Sequence, residues 1–223
     1  MVGSRYDGQT EWYDEFARGD VFTELRRRVV DLLGPPSGRC LDLGCGTGLT
    51  VPLLRERGWH VVGVDVSATQ LARARERLGA EAELIAADAH ALPFGDGSLD
   101  AVVSVLTHTD LDDLNRVFAE IYRVLRPGGV LVYAGVHPAF ASPNVEPQED
   151  GTWLVRTGYR REGWQTVSRD PDKPGVRSRV GINHTTLASL LNALIAAGFA
   201  PQLFDEPGSR DPPLFLAFRA AKA

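Results

Sequence analysis

Leu41-Asp42-Leu43-Gly44-Cys45-Gly46-Thr47-Gly48 decides how the chain is read. A short apolar run is broken by an acid, followed by three glycines on alternate positions and then a helical pattern. Glycines this dense let the backbone turn sharply, enter positive φ and approach a ligand closely. A strand that feeds such a turn and then a helix N-terminus is the usual mouth of a nucleotide-type site.

The elements on either side extend the pattern. Arg39–Leu43 reads as a first strand, and a helix from about Gly48 to Arg57 is closed by Gly58. Trp59–Asp65 is a nearly continuous apolar strand, as expected when both faces are covered. Ser67 and Gln70 form a capping box for a helix over Ala68–Leu78. Glu83–Ala86 and Leu99–Leu106 read as the third and fourth strands, joined by a loop without a clear helix. Leu111, Leu114, Val117, Phe118, Ile121 and Leu125 line one helix face, and Val130–Ala134 is the fifth strand. Upstream, Asp20 is the expected N-cap of a helix over Val21–Leu33, with Arg26, Arg27 and Arg28 on its solvated face. Downstream, Thr185–Gly198 is helical, and Ala200–Asp205 and Pro213–Arg219 are strands close enough to pair antiparallel. The alternation predicts an α/β, Rossmann-like doubly wound sheet of seven strands. It is mostly parallel, with an antiparallel C-terminal strand and helices on both faces.

The chain is expected to be one domain. Residues 1–36 form an N-terminal helical cap, 37–136 a cofactor-binding core, 137–183 a substrate-side insertion or lid, and 184–223 a C-terminal helix and strand pair. The insertion is rich in proline and glycine, including Pro171 and Pro174, and Thr152–Val155 is its one expected strand.

Of 223 residues, 43% are hydrophobic and 24% charged, with a formal net charge of −5. That balance fits a globular protein and disfavours nucleic acid, which needs a basic footprint. No signal peptide or membrane span is expected. Cys40 and Cys45 bracket an extended segment longer than the Cα separation a disulfide allows, so reduced thiols and a cytoplasmic setting are expected.

Asp42 precedes the first glycine by two, which suits an ammonium group or ribose and repels a pyrophosphate. Position 49 is Leu, where a dinucleotide fingerprint has glycine. At these residues the chain resembles the class I S-adenosylmethionine-dependent methyltransferases, small-molecule branch. Asp42-x-Gly44-x-Gly46-x-Gly48 resembles their first motif. Asp65 stands where the family's acid bonds both ribose hydroxyls, with Val66 packing on adenine. Ala87-Asp88-Ala89 followed by Leu92-Pro93-Phe94 resembles the adenine-recognition segment, and Leu125-Arg126-Pro127-Gly128-Gly129 the turn before the fifth strand. The resemblance implies S-adenosyl-L-methionine as cofactor and S-adenosyl-L-homocysteine as product, with the N–H of Ala89 beside Asp88 at the adenine edge. From the residues themselves, Ser104 falls near a strand end facing the same site, and Cys45 is a small residue of the glycine loop. Tyr6, Trp12, Tyr13 and Phe16 form an aromatic N-terminal segment, read as a helix on the core or a lid over that loop, with Tyr13 offering a hydroxyl.

In-line methyl transfer to a hydroxyl gains from a general base. His137 and His108, which follow the fifth and fourth strands, are the candidates; His60 and His90 read as structural, and no metal-ligand spacing is present. Trp153, Tyr159 and Trp164 suit a planar or apolar small-molecule acceptor. O-methylation of a natural-product-like acceptor is the expected chemistry, by a monomer or homodimer. A non-methylating S-adenosylmethionine-binding protein, such as a cyclase or regulatory module, and an NAD(P)-dependent oxidoreductase are the alternatives.

Overall fold

The computed structural model describes residues 5–166 and 175–223. The start of the N-terminal cap and the part of the insertion holding Pro171 and Pro174 lie outside the described residues. In chain order the elements are α1 (Thr10–Ala17), α2 (Asp20–Leu33), β1 (Arg39–Leu43), α3 (Val51–Glu56), β2 (His60–Asp65), α4 (Ala68–Leu78), β3 (Glu83–Ala86) and β4 (Leu99–Val105). After a 3-10 turn at His108–Asp110 come α5 (Leu114–Val124), β5 (Leu125–Val136), β6 (Val145–Pro147), β7 (Trp153–Val155) and β8 (Gly163–Gln165). The chain closes with α6 (Val176–Arg179), β9 (Ile182–His184), α7 (Leu187–Ala196), β10 (Phe199–Asp205) and β11 (Phe215–Lys222).

Seven strands form one sheet in the order β10-β11-β5-β4-β1-β2-β3. The pairs β1–β2, β1–β4, β2–β3 and β4–β5 are parallel. β11 runs antiparallel to both β5 and β10. This is the expected doubly wound sheet. The centre of the sheet is apolar on both faces because both are covered. On one face Leu41, Val62, Val102 and Tyr133 meet Phe118 and Ile121 of α5 and Leu190 and Leu194 of α7. On the other, Cys40, Val61, Ala101 and Val132 meet Leu25 and Val29 of α2 and Leu54 of α3.

Several local expectations are corrected. Asp20 is the first residue of α2, preceded by Gly19 without a side-chain cap. Arg26 is buried, not solvated: its guanidinium donates to the Ala17 carbonyl at 2.7 Å and ties α2 to α1. Only half of the capping box forms. Ser67 Oγ accepts the Gln70 N–H at 3.2 Å, while the Gln70 amide has no side-chain partner among the described residues. The insertion holds more regular structure than its composition suggested: β6 pairs with β7, and β8 with β9, as two short antiparallel ladders.

The candidate cofactor and acceptor site

The C-terminal ends of the parallel strands open into two cavities. The smaller, about 320 Å³, lies beyond β1, β2, β3 and β4. Its floor is the glycine turn. Gly44, Gly46 and Gly48 all have positive φ, of 69, 53 and 77°. Gly44 and Gly46 line the cavity. Gly48 serves packing: a Cβ there would lie 2.7 Å from Leu78 Cδ1 and 3.3 Å from Ala74 Cβ. The neighbouring Cys45 is buried and lies outside the lining, and burial pushes its thiol pKa up. Both cysteines are free thiols.

Asp65 closes β2 at the cavity wall. One carboxylate oxygen accepts the Gly46 N–H and the other the Ser67 N–H, each at 2.8 Å. Burial raises its pKa and these N–H bonds oppose the rise. Each oxygen keeps a further lone pair, so paired hydroxyls fit here. Val66 beside it is 52% exposed and lines the cavity. Asp88 and Ala89, just past the end of the neighbouring β3, also line it. Asp88 Oδ1 accepts the His90 N–H at 2.9 Å and meets His90 Nδ1 at 2.6 Å, so part of its acceptor capacity is already used.

Asp42 is 1% exposed and sits beneath the turn, lining neither cavity. Burial lifts its pKa to about 7 despite the Arg26 charge. Asp42 Oδ2, both amide atoms of Gln70 and His90 Nε2 are buried without a hydrogen-bond partner among the described residues. Gln70 and His90 line this cavity. Buried polar atoms are normally satisfied, so the Gln70 amide and His90 Nε2 fit a bound molecule rich in donors and acceptors. Ser104 is buried, bonded to Thr107 Oγ1, and outside both linings.

The larger cavity, about 570 Å³, lies beyond β4 and β5 under the insertion. Trp153 lines it, together with Phe140, Ile182 and Phe215. Tyr6, Tyr13 and Leu106 line both cavities and form the wall they share. The Tyr6 and Tyr13 rings meet edge to face at 4.7 Å. Leu106 has φ of 62°, the one non-glycine residue with positive φ among the described residues. Such strain, about 1–3 kcal/mol, gathers at functional sites.

The two histidines do not reach this wall. His108 is 3% exposed and packs in the core, with Nδ1 2.6 Å from the Tyr133 hydroxyl. Burial lowers its pKa to about 3. His137 is 2% exposed. Its Nδ1 accepts the N–H groups of Ala139 and Phe140 at 3.2 and 3.3 Å, and its Nε2 faces Glu206 at 3.2 Å. Neither lines a cavity. Tyr159 also lies elsewhere: its hydroxyl accepts the Leu187 N–H at 2.8 Å and its carbonyl meets His184 Nε2 at 2.7 Å. Trp164 lies over the cofactor-side cavity, where its N–H donates to Asp112 and the Arg5 guanidinium stacks 3.5 Å from its ring.

The sequence reading missed Tyr6, Gln70, Leu106 and Asp110. It also missed Asp14, which is buried on α1 and takes Arg77 Nη2 at 2.7 Å on both oxygens. Arg77 also donates to the Thr47 carbonyl, so one ion pair couples α1, α4 and the glycine turn. No cluster of metal-ligating side chains occurs among the described residues. No described helix is long and apolar enough to cross a membrane.

Comparison with known proteins agrees with this geometry. A methyltransferase-domain family profile matches residues 41–133. The Bacillus subtilis protein named putative methyltransferase YqeM is 30% identical over 169 residues, 73% of this chain and 67% of that protein. The demethylmenaquinone methyltransferase of Thermus thermophilus is 46% identical over 113 residues, 48% of this chain and 51% of that protein. The chain spans about half to three fifths of the length of the first curated relatives it matches. The crystal structure of an S-adenosylmethionine-dependent methyltransferase from Mesorhizobium loti superposes with a TM-score of 0.70. It is 28% identical, covering 87% of this chain and 96% of that one. The motif, the sheet order, the cavity at the glycine turn and these likenesses converge: the chain belongs to the S-adenosylmethionine-dependent methyltransferases.

Proposed function

We propose that the protein transfers the methyl group of S-adenosylmethionine to an oxygen of a small, largely apolar acceptor, of natural-product type, held in the larger cavity. The observation that carries this reading is the wall of Tyr6, Tyr13 and Leu106 common to both cavities. Donor and acceptor held on either side of it meet there. S-adenosylmethionine supplies a methyl group already activated on sulfur. Asp65 would hold the ribose hydroxyls through its remaining lone pairs, Val66 and Ala89 would pack against the adenine, and Gly44 and Gly46 would let the backbone approach. The protein's contribution is alignment, worth up to about 7–11 kcal/mol in favourable cases.

The base assigned by sequence to His137 or His108 passes to another pair. Tyr6 Oη donates to Asp110 Oδ2 at 3.2 Å, Tyr6 lines both cavities, and Asp110 lines the cofactor-side one. As the acceptor oxygen bonds the methyl carbon and the carbon–sulfur bond breaks, the acceptor's proton passes to Tyr6 Oη. The Tyr6 proton passes to the Asp110 carboxylate.

Incubation with methyl-labelled S-adenosylmethionine and a panel of hydroxylated aromatic and alicyclic compounds tests the reading. Labelled methyl ethers are the expected product. Cofactor binding without transfer to any acceptor in the panel would place the chain with non-methylating relatives of this fold, and failure to bind cofactor would refute the site itself.

A further inference from the structure

The wall common to both cavities stands on the N-terminal cap. Two of its three residues, Tyr6 and Tyr13, belong there, Tyr13 within α1. The cap is gripped where the cofactor acid is gripped. Asp65 accepts the N–H groups of Gly46 and Ser67. Beside Gly46, the Thr47 hydroxyl donates to Asp14 Oδ1 on α1. Ser67 Oγ donates to Asp7 Oδ1 at 2.7 Å. Both backbone partners of Asp65 therefore lead, within one residue, to an aspartate of the cap.

The Asp14 grip is the more elaborate. Asp14 and Thr47 are both buried. Besides the Thr47 hydroxyl, Asp14 takes Arg77 on both oxygens and Arg18 Nη2 at 2.8 Å on Oδ2, and Arg73 Nε lies 3.6 Å away. Arg77 also donates to the Thr47 carbonyl, so Thr47 is held at its hydroxyl and at its backbone. Charge-assisted bonds are the strong ones, and a satisfied network of them is rigid. A shift of Thr47 is therefore passed to α1, where Tyr13 is the residue next to Asp14. Asp14 itself lines neither cavity.

We propose that Asp14 is a positioning residue: through Thr47 it couples occupation of the cofactor site to the placing of Tyr13 in the wall of the acceptor cavity. The inference rests on reading the smaller cavity as the cofactor site and the larger as the acceptor site. A cofactor seated on Gly46 and Asp65 steadies the turn that holds Thr47. Thr47 then holds Asp14, α1 stays docked, and the acceptor cavity has its wall. Coupling of this kind is reciprocal, so a docked α1 also slows release of the cofactor. The Asp7–Ser67 contact keeps the start of the cap in place independently, so α1 is where the coupling is read.

Amide hydrogen exchange on the full chain, with and without saturating S-adenosylhomocysteine, tests this. The ligand should slow exchange across α1 by about fivefold or more, as expected for coupled sites. Thr47→Val removes the hydroxyl donated to Asp14 and keeps the Asp14–Arg77 ion pair. It should cut that slowing to about twofold or less, while ligand-dependent slowing at Gly46 persists. Thr47→Ser, which keeps the hydroxyl, should restore it. Asp14→Ala should behave as Thr47→Val does, and S-adenosylhomocysteine should leave both variants about fivefold faster than the wild type. Should Asp14→Ala fail to fold, Thr47→Val decides alone. A purely structural role would quicken α1 exchange equally with and without ligand. That result, or no slowing of α1 in the ligand-bound wild type, would overturn the inference. Failure of the unmodified protein to bind S-adenosylhomocysteine would refute the methyltransferase reading instead, so the two failures are distinct.

Discussion

The Asp65 carboxylate accepts the Gly46 N–H at 2.8 Å, so the acid that ends β2 also sets the shape of the glycine turn after β1. On the proposed reading of the site, removing it costs the bonds offered to the ribose and also slackens the turn. Asp65→Ala should weaken S-adenosylhomocysteine binding by tenfold or more, since each charged hydrogen bond contributes about 1.5–3 kcal/mol. Isothermal titration of wild type and variant decides it, and unchanged affinity would remove Asp65 from the site. Amide exchange at Gly46 should quicken in the same variant.

The glycines of the turn should not respond alike. A Cβ on Gly44 would lie 2.1 Å from Thr107 Cγ2, and one on Gly46 would meet only Gln70 Oε1 at 3.7 Å. Gly44→Ala therefore combines overpacking, about 1–3 kcal/mol, with a left-handed backbone penalty of about 1–2 kcal/mol. Gly46→Ala incurs the backbone penalty alone. Urea denaturation should show Gly44→Ala clearly the less stable of the two. Equal loss would mean that Thr107 yields at no cost.

His108 should govern stability and its pH dependence, with catalysis little changed. Its pKa is lowered to about 3 in the folded protein, against about 6.5 in the unfolded chain. Between those values the unfolded chain binds one proton more, so the contribution is complete above about pH 6.5 and is lost as pH falls towards 3. Asp42 and Asp110, raised to about 7, act with the opposite sign: their contribution is present below about pH 3.9 and is lost as pH rises through about 7. His108→Gln removes only the first slope. The stability gap between wild type and variant should therefore be about 2 kcal/mol smaller at pH 5 than at pH 7 in urea melts. A gap independent of pH would show that His108 is not held neutral.

The strand–helix alternation of the doubly wound sheet and the glycine turn were legible because each rests on local rules. Gly44, Gly46 and Asp65 lie on short turns where positive φ or a strand end leaves few choices of residue. Val61–Val64 is buried on both faces and shows a continuous apolar run. The acceptor side obeys contacts that no local pattern encodes. His108 and His137 follow the right strands, yet one turns back to Tyr133 and the other is engaged by the loop at 139–140 and by Glu206. Asp14 and Arg77 are 63 positions apart, and Tyr6 and Asp110 are 104 apart. Nothing local tied Tyr6 to the strand-end acid. Asp110 sat two residues past the histidine chosen in its place.

The Tyr6–Asp110 pair gives the last prediction. Burial raises the Asp110 carboxyl to about 7, opposed by the Tyr6 hydroxyl and by Arg5, and supported by the charge of Asp65. Tyr6, half-buried, has its pKa raised by desolvation and by Asp110, so the proton between them stays on the phenol at rest. If Asp110 takes the proton in the transfer step, kcat at saturating cofactor should rise with pH through about 7 and then level. Asp110→Asn should flatten that limb and lower kcat by about 10²–10⁴-fold. Tyr6→Phe should do the same, and the double variant should be no slower than either single one, because two groups in series fail together. Cofactor affinity must be measured alongside, since Asp110 lines the cofactor-side cavity. A pH limb that persists in Asp110→Asn would show that the limb belongs to the acceptor's own ionisation, with alignment alone supplied by the protein.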